Sequence, residues 1–210
     1  VIVDGKRNDI GPTATAYAEA YLGPSPPSAW GADALTVNPY LGDDSLTPFV
    51  EVAQQRQAGV FVLVKTSNPG SGLFQDRACE GATLYRHVGQ YVEQLALRTR
   101  AACGYGAVGA VVGATYPAQL AELRSCMPNT WFLVPGFGAQ GAAAKEVAPA
   151  FSADGLGAIV NNSRGIIFAH ARPAFKERFG DARWQQAVEA ATQEMIEQLA
   201  ADTPAGRLRT

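Results

Sequence analysis

Six short runs of apolar, mostly β-branched residues recur along the chain, and each stops abruptly in glycine, asparagine, serine or charged residues. Val1–Val3 leads into Asp-Gly-Lys-Arg-Asn-Asp-Ile, Ala32–Val37 into Asn-Pro-Tyr, and Gly59–Val64 into Lys-Thr-Ser-Asn-Pro-Gly. Ala107–Val112 leads into Gly-Ala-Thr, Trp131–Val134 into Pro-Gly-Phe-Gly, and Gly157–Val160 into Asn-Asn-Ser-Arg-Gly. Continuous apolar runs, as opposed to alternating ones, suit strands buried on both faces, as in a parallel sheet covered by helices.

The stretches between the runs carry helix signals. Ser45 reads as an N-cap, with Phe49, Val52 and Ala53 on the inner face of the helix it opens. Leu84, Val88, Tyr91 and Leu95 recur at helical spacing, as do Trp184, Val188, Ala191, Met195 and Leu199. Pro117 opens a further helix, and Pro128 follows it. The pattern therefore predicts an α/β fold of six β/α units, compatible with an open sheet or with a barrel. A (β/α)8 TIM barrel has eight units in about 250 residues. Because the sequence opens within its first run, the expectation is a barrel carrying about six of its eight β/α units, without the first two. Residues 1–202 are expected to form one partial barrel domain, with 203–210 as a frayed tail.

Composition narrows the partners. With 47% apolar and 17% charged residues the chain can bury a substantial core, and a net charge of −2 offers no general attraction to nucleic acid or anionic membrane. The apolar runs are far too short to span a bilayer. The three cysteines, Cys79, Cys103 and Cys126, are widely spaced and odd in number. They read as reduced structural thiols of a cytoplasmic protein. Only His87 and His170 are available, which argues against a histidine-rich metal site.

All the polar signatures follow strands, and the C-terminal edge of a parallel sheet is where ligands bind. Asp4, Lys6 and Asp9 can be read as a surface salt-bridge network. They can also be read as an electrostatic site in which Lys6, held cationic between two carboxylates, gives a proton to a developing carbanion. Arg7 is expected to point away, toward packing or solvent. The loop from Lys65 to Ser71 is an ordinary Pro-Gly turn on one reading. On the other it offers backbone amides and Ser67 to a planar heterocycle, while Lys65 is either a ligand contact or a solvated strand end. Two further loops, Pro135–Gly141 with Gln140 and Asn162–Gly165 with Arg164, combine close backbone approach, an amide and a guanidinium. Adjacent strand-end loops of this kind suit a phosphate.

These motifs resemble those of orotidine 5′-phosphate decarboxylases, in particular the bacterial group with long C-terminal helices. Asp-Gly-Lys-Arg-Asn-Asp-Ile, Lys-Thr-Ser-Asn-Pro-Gly-Ser, Pro-Gly-Phe-Gly-Ala-Gln-Gly and Asn-Ser-Arg-Gly-Ile occur in the order and spacing of that family. The resemblance implies a (β/α)8 barrel that converts orotidine 5′-phosphate to UMP and CO2 with no metal or organic cofactor. By it, Asp4 sits beside the leaving carboxylate, Lys6 protonates C6, and Asp9 reaches across a homodimer interface with Ile10 and Thr13 as companions. Ser67 would contact the pyrimidine, Gln140 and Arg164 would grip the phosphate, and Asn38 lies at a strand end of the right kind. The family's ribose-binding aspartate and the first lysine of its Lys-Asp-Lys-Asp array have no counterpart in the sequence, as expected if two units are missing. Two alternatives stand beside this reading: a related sugar-phosphate decarboxylase or aldolase barrel, and an inactive fragment that binds only nucleotide phosphate.

Overall fold

Each apolar run becomes a strand. In the computed structural model, which describes residues 1–138 and 143–209, the first strands and helices are β1 (Ile2–Arg7), α1 (Gly11–Tyr21), β2 (Ala34–Val37), α2 (Asp43–Gln55) and β3 (Gly59–Lys65). A short helix α3 (Gly72–Gln75) and a hairpin of β4 (Ala78–Cys79) and β5 (Ala82–Thr83) come next. Then follow α4 (Leu84–Arg98), β6 (Val108–Val112), α5 (Pro117–Cys126) and β7 (Phe132–Val134). The chain ends with α6 (Ala144–Val147), β8 (Ala158–Val160), α7 (Ser163–Ile167), α8 (Pro173–Phe179) and α9 (Trp184–Asp202). Strand order in the main sheet follows chain order, β1-β2-β3-β6-β7-β8. Parallel pairing with a helix after each strand is the repeat of a (β/α)8 barrel.

Contacts divide the chain into two compact units, residues 1–112 with 125–133 and residues 113–124 with 134–210. In the first, β2 and β6 are buried along their whole length, as their unbroken apolar runs require. Ala34, Phe61 and Val111 form one cluster, with Ile2, Leu63, Trp131 and Leu133 packed against it. The close fit has one clear steric demand. A Cβ on Gly106 would lie 2.2 Å from the Ala96 carbonyl oxygen, so only glycine lets the chain entering β6 pass the end of α4.

In the second unit, the Asn161 amide donates to the Val134 carbonyl at 3.3 Å, joining the ends of β8 and β7. Arg124 donates to the carbonyls of Ala150 and Gly157 at 3.3 and 3.0 Å. Ala169, Phe175, Ala187 and Ala191 make a small core between α8 and α9.

Several local expectations shift. Helix α2 begins two residues before Ser45, at Asp43, whose charge and that of Asp44 suit a helix N-terminus. Ser45 is instead buried in the first turn, its hydroxyl donating to the Gly42 carbonyl at 2.6 Å. The buried face of α4 carries Tyr85, Gly89, Val92, Glu93, Leu95 and Ala96, so Leu84 is exposed and the anticipated stripe is rotated by about one residue. That face includes Glu93, a carboxylate that hydropathy places in solvent. It is buried and accepts from the Asn129 amide at 3.2 Å, the Asn129 side chain at 2.5 Å and the Thr130 hydroxyl at 2.6 Å.

Along α9, Ala187, Ala191 and Met195 are buried while Trp184 is exposed. Residues 204–209, within the stretch expected as a frayed tail, form a 3-10 helix, Pro204–Arg209. The Arg207 guanidinium donates to the Ala153 carbonyl, and Gly206 passes where a Cβ would come within 2.1 Å of the Ala200 oxygen. The cysteines are free and exposed, so none of them packs in the core.

Candidate active site

The first part of the charged opening motif, from Asp4 to Arg7, lies within β1, while Asp9 and Ile10 follow the strand. The pairing register runs from Val3 opposite Leu35 to Arg7 opposite Val37, so β1 spends four residues where β2 spends two. Such a bulge re-aims side chains at a strand end. Lys6 sits in it with φ +46, a left-handed conformation that costs a non-glycine residue roughly 1 kcal/mol or more. One side chain on β2 secures it. The Thr36 hydroxyl, fully buried, accepts the Lys6 amide at 2.9 Å and donates to Asp4 Oδ1 at 3.0 Å. The Lys6 ammonium reaches the same Asp4 oxygen at 2.6 Å. One hydroxyl thus orders both members of the ion pair.

The pair itself faces solvent, with Lys6 49% and Asp4 66% exposed. An open ion pair contributes little to stability, about 0–1 kcal/mol. Among the described residues Lys6 pairs with Asp4 and not with Asp9, whose Oδ1 accepts the Ile10 amide at 2.9 Å. A lysine held between two carboxylates is therefore not the arrangement within one chain. Ile10 and Thr13 are exposed at the start of α1. Arg7 turns aside as anticipated: its Nε donates to the Gly5 carbonyl at 2.8 Å, and its guanidinium lies 5.8 Å from the Tyr17 ring centroid. Asn38 is tied down locally, its amide donating to the Arg7 carbonyl at 2.9 Å and its side chain accepting from Tyr40 at 3.0 Å.

After β3 the structure departs from the reading of Lys65 as a solvated strand end. This lysine is fully buried, and its ammonium lies 2.6 Å from Asp76 Oδ1 and 3.4 Å from Ser71 Oγ. It also stands 5.6 Å from the Tyr85 ring centroid. Ser67 follows at the start of the loop, half-buried.

In the second unit, Arg164 lies in α7, whose N-cap Asn162 accepts the Gly165 amide at 3.0 Å. Arg164 and Arg172 line a cavity of about 360 Å³ together with Phe137, Gly138, Asn162 and Glu194. Gln140 lies outside the described residues. Among the described residues, no three His, Cys, Asp or Glu side chains converge in a way that could hold a metal ion.

Thr36, Asp76 and Gln75 were not singled out from the sequence. A threonine inside the apolar run Ala34–Val37 was the available signal for the first. Nothing local distinguishes the other two.

Residues 1–177 match the family model described as the orotidine 5′-phosphate decarboxylase / HUMPS family. Among curated proteins, the orotidine 5′-phosphate decarboxylase of Rhodopirellula baltica is 60% identical over 201 residues, which is 95% of this chain and 67% of that protein. The enzyme of the same name from Caldicellulosiruptor bescii is 45% identical, the match covering 81% of this chain and 57% of the relative. The chain thus spans only about two thirds or less of the length of these relatives. Among solved structures, Leishmania donovani OMP decarboxylase superposes with a TM-score of 0.67 at 37% identity, over 93% of this chain and 68% of that one. Leishmania donovani UMP synthase gives 0.69 at 38% identity, over 91% of this chain and 38% of the other. These likenesses agree with the strand order above: the fold is α/β, of the (β/α)8-barrel class, with six β/α units among the described residues.

Proposed function

Because the chain belongs to the orotidine 5′-phosphate decarboxylase / HUMPS family, we propose that the protein decarboxylates orotidine 5′-phosphate to UMP, in pyrimidine biosynthesis. The observation that carries this reading is the Asp4–Lys6 pair, ordered by the buried Thr36 hydroxyl at a strand end. In the proposed step the bond from C6 to the carboxylate breaks, CO2 departs, and the electron pair stays on C6. The Lys6 ammonium gives that carbon a proton and regains one from solvent.

No cofactor delocalises this carbanion, so its stabilisation is electrostatic. Two unit charges 4 Å apart interact by about 4 kcal/mol at an effective dielectric of 20. One ammonium cannot supply a large acceleration alone. Fixing it before substrate arrives avoids reorganisation during the step, and phosphate binding remote from C6 supplies energy for orientation. Arg164 and Gln140 are proposed for the phosphate, Ser67 for the pyrimidine. Asp9, Ile10 and Thr13 are proposed to act across a homodimer. No helix among the described residues is long and apolar enough to cross a membrane, and the proposed place of work is the cytoplasm.

The test is CO2 release from orotidine 5′-phosphate, with and without EDTA, by the chain as it stands and by its Lys6→Ala variant. The proposal expects EDTA-insensitive turnover that is lost in the variant, while binding of UMP largely survives. Turnover unchanged by Lys6→Ala would remove Lys6 from the chemistry. Tight UMP binding without turnover would leave the chain a nucleotide-phosphate-binding unit.

A further inference from the structure

We infer that Lys65, Asp76, Thr66 and Gln75 are positioning residues that set the loop carrying Ser67 for contact with the pyrimidine ring, an inference that rests on the nucleotide reading above. Two rungs close this loop at its base. In the first, the Lys65 ammonium meets Asp76 at 2.6 Å. In the second, the Thr66 amide donates to Gln75 Oε1 at 3.0 Å, and Gln75 Nε2 donates back to the Thr66 hydroxyl at 2.9 Å. That hydroxyl donates onward to Asn68 Oδ1 at 2.7 Å, and the Ser71 amide donates to the Asn68 carbonyl at 3.1 Å. Ser67 lies between these anchors, the first residue beyond both rungs.

Stability alone is a poor reason for this construction. Lys65 is fully buried, while Asp76 remains 44% exposed. Desolvating an ammonium costs several kcal/mol, and its pairing roughly offsets that, so an apolar side chain of similar volume is commonly as stable or more so. A buried ion pair does impose registry: the Lys65–Asp76 pair forms only when Asp76 returns to one place. A second rung on the adjacent residue removes the remaining freedom to twist. A loop held this way meets a ligand without a further ordering cost, which raises affinity for the group the loop touches. On the proposed reading that group is the base, while the phosphate is held by other residues.

The two parts of the ligand therefore separate the effects. UMP and ribose 5-phosphate are titrated calorimetrically into the wild type, Lys65→Met, Gln75→Ala, Ser67→Ala and the double variant Ser67→Ala/Gln75→Ala. Lys65→Met removes the buried charge and leaves Asp76 to water. Gln75→Ala opens the second rung without burying an unpaired ion, and carries the test if Lys65→Met does not fold. The expected result is a five- to tenfold loss of UMP affinity in either variant, about that of one hydrogen bond, with ribose 5-phosphate affinity unchanged. The double variant should bind UMP no more weakly than Ser67→Ala alone. Equal losses for both ligands, no loss for UMP, or losses that multiply in the double variant would overturn the inference. A wild type that binds UMP no better than ribose 5-phosphate would instead overturn the nucleotide reading, and this assignment with it.

Discussion

The Thr36 hydroxyl donates to Asp4 Oδ1 at 3.0 Å, the same oxygen that receives the Lys6 ammonium at 2.6 Å. Because that hydroxyl also accepts the Lys6 amide, it spends its one proton and one of its lone pairs on the two ends of a single ion pair. The geometry of the proposed proton donor is thus set by a residue on the neighbouring strand.

Thr36→Val keeps shape and removes both bonds. It leaves the Lys6 amide without its partner, at a cost of about 1–3 kcal/mol. Turnover should fall by roughly 10- to 100-fold, mostly in kcat, since what is lost is orientation of the proton donor. Thr36→Ser should restore most of it. Steady-state kinetics and urea melts on the three proteins check this; equal kcat in Thr36→Val and wild type would deny Thr36 any part in ordering the pair.

Lys6 occupies a left-handed backbone position, so Lys6→Gly should relieve strain and stabilise the fold by up to about 1 kcal/mol. The same change should abolish CO2 release. Lys6→Ala, which retains the strain, should show no such gain. Thermal melts of the two variants side by side distinguish backbone relief from loss of charge.

Glu93 accepts hydrogen bonds from the Asn129 backbone and side chain and from the Thr130 hydroxyl in a buried setting. Glu93→Ala takes the acceptor from these neutral donors and should cost about 1–3 kcal/mol for each one left unsatisfied. Ligand affinity of the protein that remains folded should be unaltered. Denaturant unfolding, with the UMP titration on the folded fraction, measures both.

Gly106→Ala would place a methyl group 2.2 Å from the Ala96 carbonyl oxygen, against backbone that cannot swing aside. A loss above about 3 kcal/mol is expected, in the range of overpacking and backbone effects. A melting point within a degree or two of wild type would show that α4 and β6 can shift apart.

Much of the architecture was legible in the residues. Apart from β1, which runs on through Asp4 and Lys6 to Arg7, strand positions came within a residue or two of the structure, because a two-face-buried strand is a local apolar run that stops where the polar loop begins. The face of α4 was misread for an equally physical reason. A periodicity count treats Glu93 as solvent-facing and cannot know that Asn129 and Thr130, more than thirty residues on, satisfy it. Lys65 escaped in the same way, since its partner Asp76 returns only through the turn of α3.

The chain's own pattern of residues therefore determined the α/β class, the order of the units and the strand ends at which polar loops gather. Those follow from short-range hydrophobicity and turn chemistry. Only the tertiary structure decided that β1 bulges, that Thr36 binds Asp4 and Lys6 together, and that Lys65 is buried against Asp76. The first two depend on the register between β1 and β2, and the third on the path the chain takes through α3 back to β3. A slip of one residue would turn every side chain of a strand to the opposite face.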